Sequence, residues 1–491
     1  MLAIRNLFHS ISQFFTGFTL IFLLGFVTFP VLTRLLSREE YGILGLVTTT
    51  MGIAVAIAKG GISDGIIRYY GEYATTPERL SVFTSTVLTR GALLVVVVVG
   101  AYIVSIPYIN ALIGVSPRYL SCFLVMALYL FVRPLDIIVG NYLRSVGKIF
   151  FFNAVNVSTK VLEIAFGFTL LLWLVRELYG YLLGVALAEV CAMVILYRWL
   201  FKNYRFAFSQ VSGSLARDLV KFGLPLMFTE LAYLFLSYTD RYMIIAFHGE
   251  DMLGLYSVGY NVPSYVNNLV MFSISYAVVP IYTDLYRREG KAATEEFLTR
   301  AFRYSLIGAI PLCVGYAAIA HDALVTLASE KYAEAAGFSP IILAGLIFLG
   351  LNYILYAGLY LEKKSGQILA AMLFAVVINV SANLILLPRY GATGAAISTL
   401  LACLASSALM AVLGRRYLRI EIPISTLLYY LAASAAMYFI LAEIETSRPW
   451  LNLVTKIPAG ALIMAVAMIA REHEIRAHAW KLIRGASGKI T

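Results

Sequence analysis

The run ALLVVVVVGAYIVSI, residues 92–106, contains no charge and no alternation of polar with apolar positions. Stretches like it recur along the whole chain. A helix needs about 20 mostly apolar residues to cross the hydrocarbon of a bilayer, and spans of that kind lie near 11–33, 41–67, 82–106, 119–143, 150–173, 179–200, 219–246, 254–284, 300–320, 338–361, 366–387, 391–413, 423–442 and 450–470. Membrane β-strands would instead read as short alternating segments. Composition agrees with helices in lipid: 61% of residues are hydrophobic and 13% charged, with mean hydropathy +0.83, where a soluble domain is about one-quarter charged. The sequence therefore predicts an all-α, polytopic membrane protein with about fourteen transmembrane helices.

An even number of spans places both termini on one side, and the positive-inside rule selects it. With the termini inside, the inner segments hold YRWLFKNYR, YRREGK, GRRYLR and a basic tail with Arg471, Arg476, Lys481, Arg484 and Lys489. The outer loops hold little beyond Arg34, Arg38, Arg118, Arg176, Lys331, Arg389, Arg448 and Lys456. The expectation is a multi-pass protein of the cytoplasmic (inner) membrane with both termini cytoplasmic and its first helix retained. The net charge of +11 then reads as anchoring against anionic lipid, and no nucleic-acid partner is expected. Cys122, Cys191, Cys313 and Cys403 sit singly in apolar spans, as small core residues do.

The chain repeats itself. EEYGILGL (39–46) corresponds to DMLGLYSVGY (251–260), and GNYLRSVGK (140–148) to GLYLEKKSGQ (358–367). NVSTKVLEIAF (156–166) corresponds to NVSANLILLP (379–388), and YGYLLGVALAEV (179–190) to YGATGAAISTLL (390–401). The order is the same in both halves. A six-helix repeat keeps its orientation, which predicts two lobes in pseudo-twofold arrangement about an axis along the membrane normal. The boundaries expected are 1–205 for the first lobe, 206–418 for the second, and 419–491 for two appended helices and the basic tail.

Three blocks, TRLLSREEYGILGL, TDRYMIIAFHGEDMLGLYSVGY and NLILLPRYGATGAAISTLLA, together with this layout resemble the oligosaccharide and polysaccharide flippases of the multidrug/oligosaccharidyl-lipid/polysaccharide exporter superfamily. The resemblance spans nearly the whole chain, including the two appended helices. It implies movement of a polyprenyl-diphosphate-linked oligosaccharide, a polysaccharide repeat unit, from the cytoplasmic to the outer leaflet by alternating access. The expected partners are that lipid-linked oligosaccharide, the bilayer, and polysaccharide polymerases or glycosyltransferases. No cofactor and no metal site is expected, and the chain is expected not to be an enzyme.

Such a substrate needs a wet cleft with cations for its diphosphate, since burying an unpaired hydroxyl costs roughly 2–7 kcal/mol. Ionisable residues inside spans are the candidates. Asp64 with Arg68, Arg133 with Asp136, and Lys160 with Glu163 are spaced three or four apart, as is Asp284 from Arg287 and Arg288, so each is expected to neutralise itself on its own helix. Lys59, Arg90 and Arg241 have no acid at those spacings and are the candidate headgroup cations, an interhelical structural pair being the alternative for each, with Arg34 a weaker candidate that snorkelling also explains. Glu230, Asp240 and Glu189 are the candidate cleft acids or ion-coupling groups, Asp240 and Arg241 falling where the family's blocks carry an acid–base pair. KGGISDG (59–65) reads equally as a broken helix or hinge at the cleft and as a stretch of small-residue packing. No G-x-x-x-x-G-K-[ST] sequence is present, so ATP hydrolysis by this chain is not expected. Two other classes fit less well. A cation-coupled multidrug exporter of the same superfamily lacks a need for the appended helices, and a membrane glycan polymerase or glycosyltransferase requires larger outer loops or an acidic metal motif.

Overall fold

The computed structural model is 89% helical and describes residues 2–472 and 476, with no strand among them. Lys481, Arg484 and Lys489 of the basic tail lie outside the described residues. The main helices are α1 (Leu2–Leu35), α2 (Arg38–Lys59), α3 (Ile62–Tyr73), α4 (Pro77–Ile113), α5 (Leu120–Ser145), α6 (Ile149–Thr169), α7 (Leu178–Asn203) and α8 (Gly213–Arg288). They continue with α9 (Lys291–Leu327), α10 (Ser339–Leu355), the short α11 (Ala357–Leu361), α12 (Ser365–Gly414), α13 (Ile424–Ala442) and α14 (Pro449–Arg471).

Among the described residues ten helical stretches are long and apolar enough to cross a membrane, and the 59° bent pair that ends in α10 makes an eleventh. Two of the ten are each two passes, because α8 is broken at Gly249 and α12 at Gly391, where the backbone leaves the helical region. With these divided and α1 added, the number reaches the fourteen expected from the sequence. The protein is a polytopic helical membrane protein. Helix starts are chemically marked. At α2, Ser37 Oγ accepts from the Glu40 amide (3.1 Å) while the Glu40 carboxylate accepts from the Ser37 amide (2.8 Å), a reciprocal cap that satisfies two otherwise orphan donors.

Two units emerge from the pattern of contacts, Met1–Ser257 and Val258–Thr491. In the first, the core gathers Ile66 of α3, Phe83 and Val87 of α4, Ile138 and Tyr142 of α5, Val155 of α6, Leu196 of α7 and Leu219 of α8. Tyr142 is fully buried, and its hydroxyl is satisfied by Thr84 Oγ1 at 3.0 Å. The outward side of α4 presents Leu93, Val97 and Val104, all exposed, as lipid contact requires. The connector from α7 to α8 is tied to α4: the amides of Ala207 and Ser212 donate to Ser85 Oγ (3.0 Å) and Thr86 Oγ1 (2.9 Å), and Ser81 Oγ donates to the Arg205 carbonyl (3.2 Å).

In the second unit, α9 packs against the appended hairpin of α13 and α14 through Ile307, Tyr430, Met437, Leu441 and Met464. Polar clamps fix the hairpin at both ends. Lys456 Nζ and Asn452 Nδ2 reach the two oxygens of Asp322 (3.0 and 2.9 Å), and Glu472 binds Arg303 and Tyr430. Lys456 is thus a buried member of α14 and not the outer-loop residue expected from the charge pattern. Between the clamps lies an apolar cavity of about 380 Å³, lined by Gly308, Pro311, Gly315, Met437, Gly460 and Met464 among others.

Candidate functional site

Four of the seven charged residues singled out as cleft candidates, Lys59, Glu230, Asp240 and Arg241, lie along one antiparallel seam of the first unit, where α2 and α3 run beside the first arm of α8, residues 213–248. At one end Arg38 pairs with Asp251 (2.9 Å), and a Cβ placed on Gly42 would stand 2.5 Å from the Glu250 carbonyl oxygen. Along the middle, Thr50 Oγ1 and Tyr242 Oη share a hydrogen bond of 2.8 Å. Ala56 packs with Met227 and Leu231. Lys59 Nζ then meets both oxygens of Glu230, at 2.8 and 2.9 Å.

The KGG sequence does break the helix. Gly60 (φ 53°) ends α2 and Gly61 (φ 70°) opens α3, two successive left-handed residues that only glycine adopts without strain. The absence of side chains also lets backbones touch: a Cβ on Gly61 would be 2.1 Å from the Gly223 carbonyl carbon, and one on Gly223 would be 2.0 Å from the Gly61 oxygen. The Ser63 carbonyl, in the first turn of α3, accepts a hydrogen bond from Asn141 Nδ2 of α5 at 2.7 Å.

Adjacent residues point apart, as a helix demands. Arg241 turns to α2, where its guanidinium donates to the Gly45 carbonyl (3.1 Å) and Thr49 Oγ1 (2.7 Å) and covers the Tyr238 ring. Asp240, 1% exposed, accepts from the Arg241 amide at 2.8 Å and from the Tyr256 hydroxyl beyond Gly249, bracing the bend in α8. Arg241 is therefore engaged between helices in this conformation. Arg34 donates to the Pro30 carbonyl of its own helix at 2.9 Å. Arg90 is exposed on α4 on the same side as Leu93 and Val97, with no hydrogen bond or ion pair among the described residues.

A second polar group lies where α5, α6 and α7 meet, around a cavity of about 210 Å³ lined by Arg133, Asp136, Asn141, Arg144, Asn156, Thr159 and Glu189. Two of the pairings expected here and nearby change. Arg133 does not pair with Asp136 on its own helix; it donates to both oxygens of Glu189 on α7 (3.0 and 3.2 Å), so Glu189 has a cation after all. Asp136, 4% exposed, keeps two oxygens with no hydrogen-bond partner. Arg68 takes Glu72 (2.6 Å) and not Asp64, because Asp64 sits in the first turn of α3 near its own Ser63 hydroxyl. Lys160 with Glu163 (2.7 Å) and Arg288 with Asp284 (2.9 Å) form as the spacing predicts. Glu230, with no cation at helical spacing on its own helix, pairs with Lys59 of α2. Sequence spacing missed Asn141 and Asp322, whose roles depend on contacts to distant helices. Among the described residues no cluster of His, Cys, Asp and Glu is arranged to hold a metal ion.

Comparison with known proteins gives these features a context. The profile of a family described as polysaccharide biosynthesis protein matches residues 7–286, and the MatE profile matches residues 225–385. An uncharacterized membrane protein of Methanocaldococcus jannaschii is 25% identical over 395 residues, covering 74% of this chain and 75% of its own. Among solved structures, the lipid II flippase MurJ in an inward closed conformation superposes with a TM-score of 0.79 at 16% identity, covering 94% of this chain and 99% of that one. An inward-facing multidrug resistance MATE family transporter of the MOP superfamily superposes at 0.68 and 16% identity, covering 83% and 97%. At these identities the structural likenesses speak for the fold. The profile, matched over more than half of the sequence, speaks for descent: the chain belongs to the polysaccharide biosynthesis protein family, a transporter of the flippase and exporter superfamily and not an enzyme.

Proposed function

We propose that the protein is a flippase for a polyprenyl-diphosphate-linked oligosaccharide, carrying it from the cytoplasmic to the outer leaflet of the inner membrane by alternating access, with both termini in the cytoplasm. The observation that carries this reading is Lys59, an ammonium in a membrane-spanning helix held by a half-exposed carboxylate of another helix. A lysine here is a point charge suited to a phosphate oxygen. Lys59 is the headgroup cation in this proposal, and Arg241 and Arg34 join it when their present bonds open; Arg90, on the outward side of α4 with Leu93 and Val97, is not carried into that role. The apolar cavity beside α13 and α14 is suited to a stretch of prenyl chain, while the headgroup hydroxyls need the wet, polar route. Polymerases or glycosyltransferases acting on the same glycan are the partners proposed.

Energy enters through charge. One elementary charge crossing 100 mV gains about 2.3 kcal/mol, and the cavity holding Glu189 and Asp136 is the proposed place for a coupling proton or cation. Arg133 is bonded to Glu189 there, and the neighbouring Asp136 carboxyl makes no hydrogen bond of its own. Deleting the gene and analysing lipids tests the function: a polyprenyl-linked glycan should build up on the cytoplasmic face, and unchanged lipid intermediates with unchanged surface glycan would refute it. The MatE profile match favours one second reading, a multidrug exporter. In that case the deletion raises drug sensitivity and leaves lipid-linked glycan untouched.

A further inference from the structure

We propose that Glu230 is a resident counter-ion, an internal stand-in for the substrate's phosphate that occupies Lys59 while the protein is empty and yields it when the diphosphate arrives. The inference rests on the flippase reading and adds how its site is kept ready.

The geometry of the pair supports displacement. Lys59 Nζ contacts both carboxylate oxygens, at 2.8 and 2.9 Å, much as it would contact two oxygens of a phosphate. The two partners are unequally buried: the lysine side chain is 14% exposed and the glutamate side chain 40%. An anion therefore approaches from the glutamate's side, with the ammonium behind it. Among the described residues no third group bonds to Glu230, so nothing but Lys59 holds its carboxylate. Released, that carboxylate remains on the open side of the pair. A diphosphate brings more charge than a carboxylate and competes well for the ammonium.

The local backbone keeps the exchange small. Lys59 is the last residue of α2, with Ile62 and Ser63 three and four positions on across the break, and the other acid near enough to feel its charge is Asp64 in the first turn of α3, which makes no salt bridge to it. The Gly61–Gly223 contact pins α3 to α8 about two helical turns from Glu230. Exchanging one anion for another at Lys59 then takes rotation of side chains and no parting of the helices.

The sign of two substitutions tests this. Purified full-length protein in lipid nanodiscs is titrated with undecaprenyl diphosphate, and with undecaprenol as the uncharged control. Lys59→Ala should weaken diphosphate binding about tenfold, and Glu230→Gln should tighten it about tenfold, because removing an internal competitor removes the population penalty on the competent state. Glu230→Ala should act in the same direction as Glu230→Gln, and Lys59→Ala/Glu230→Gln should lose the gain. A structural pair predicts otherwise: both single substitutions weaken binding, or neither changes it. Either of those results overturns the proposal, as does failure of both Glu230 variants to fold. Wild-type protein that binds the diphosphate no better than the alcohol would count against the flippase reading itself, a different outcome.

Discussion

Lys59 meets Glu230 at 2.8 Å in the first unit, and Lys456 meets Asp322 at 3.0 Å in the second. Both pairs join different helices of a membrane protein, and both use a lysine. Their surroundings separate them. Lys456 and Asp322 have side chains 8% and 9% exposed, and Asn452 supplies a further donor to the carboxylate. Glu230 is 40% exposed and has Lys59 alone. The enclosed pair is a joint, fastening α14 to α9, whereas the open pair is able to trade partners. Distance between charges does not distinguish the two; burial and the number of bonds do.

Lys456→Ala probes the comparison where the effect should be largest. It strands Asp322 in a buried place, and removing one member of such a pair costs about 3–5 kcal/mol. The melting temperature of the purified protein should fall steeply, and replacing Asp322 as well should recover much of the loss. Gly61→Ala comes next. An added Cβ meets the Gly223 backbone at 2.1 Å and forces alanine into a left-handed conformation, for about 2 kcal/mol of destabilisation. An unchanged melting temperature would mean that α3 and α8 are not in backbone contact in the bilayer.

Lys59→Ala should separate the two pairs most clearly, because its stability change should stay within about 1 kcal/mol while export of lipid-linked glycan is lost at normal protein levels. If thermal stability falls as far as for Lys456→Ala, the open pair is a second joint. The smallest effect belongs to Asp136→Asn. Asp136 is buried with no hydrogen-bond partner in the present arrangement, so neutralising it breaks no bond and should leave the melting temperature unchanged or slightly raised. A change in the dependence of transport on the proton gradient, measured in proteoliposomes, would tie the cavity to energy coupling; an identical dependence would remove Asp136 from that role.

Much of the architecture was legible because the length of an apolar run is a local property. The fourteen passes and the break at Gly60 and Gly61 are written in consecutive residues. So is the reciprocal cap at α2, since Ser37 and Glu40 have the required spacing, although reading hydropathy alone passes over it. The site was legible only in its inventory. Lys59, Glu230, Asp240 and Arg241 stand out as charges in apolar helices, but Lys59 and Glu230 are 171 positions apart and nothing nearby joins them. Arg133 shows why spacing misleads. Asp136 lies three residues on, yet the guanidinium takes Glu189 of α7, because i+3 places two side chains on one face without aiming them at each other. Pairing across helices is a property of packing, and a single sequence does not display packing.

The connector between α7 and α8 has a practical consequence. Its amides at Ala207 and Ser212 are committed to hydroxyls of α4, as is the Arg205 carbonyl, so it is a fastened strap and not slack cord. An epitope tag or cleavage sequence spliced into it would strip those hydroxyls of their partners and tug on the first turns of α4. Anyone wishing to cut or label the molecule between α7 and α8 should expect this short stretch to resist.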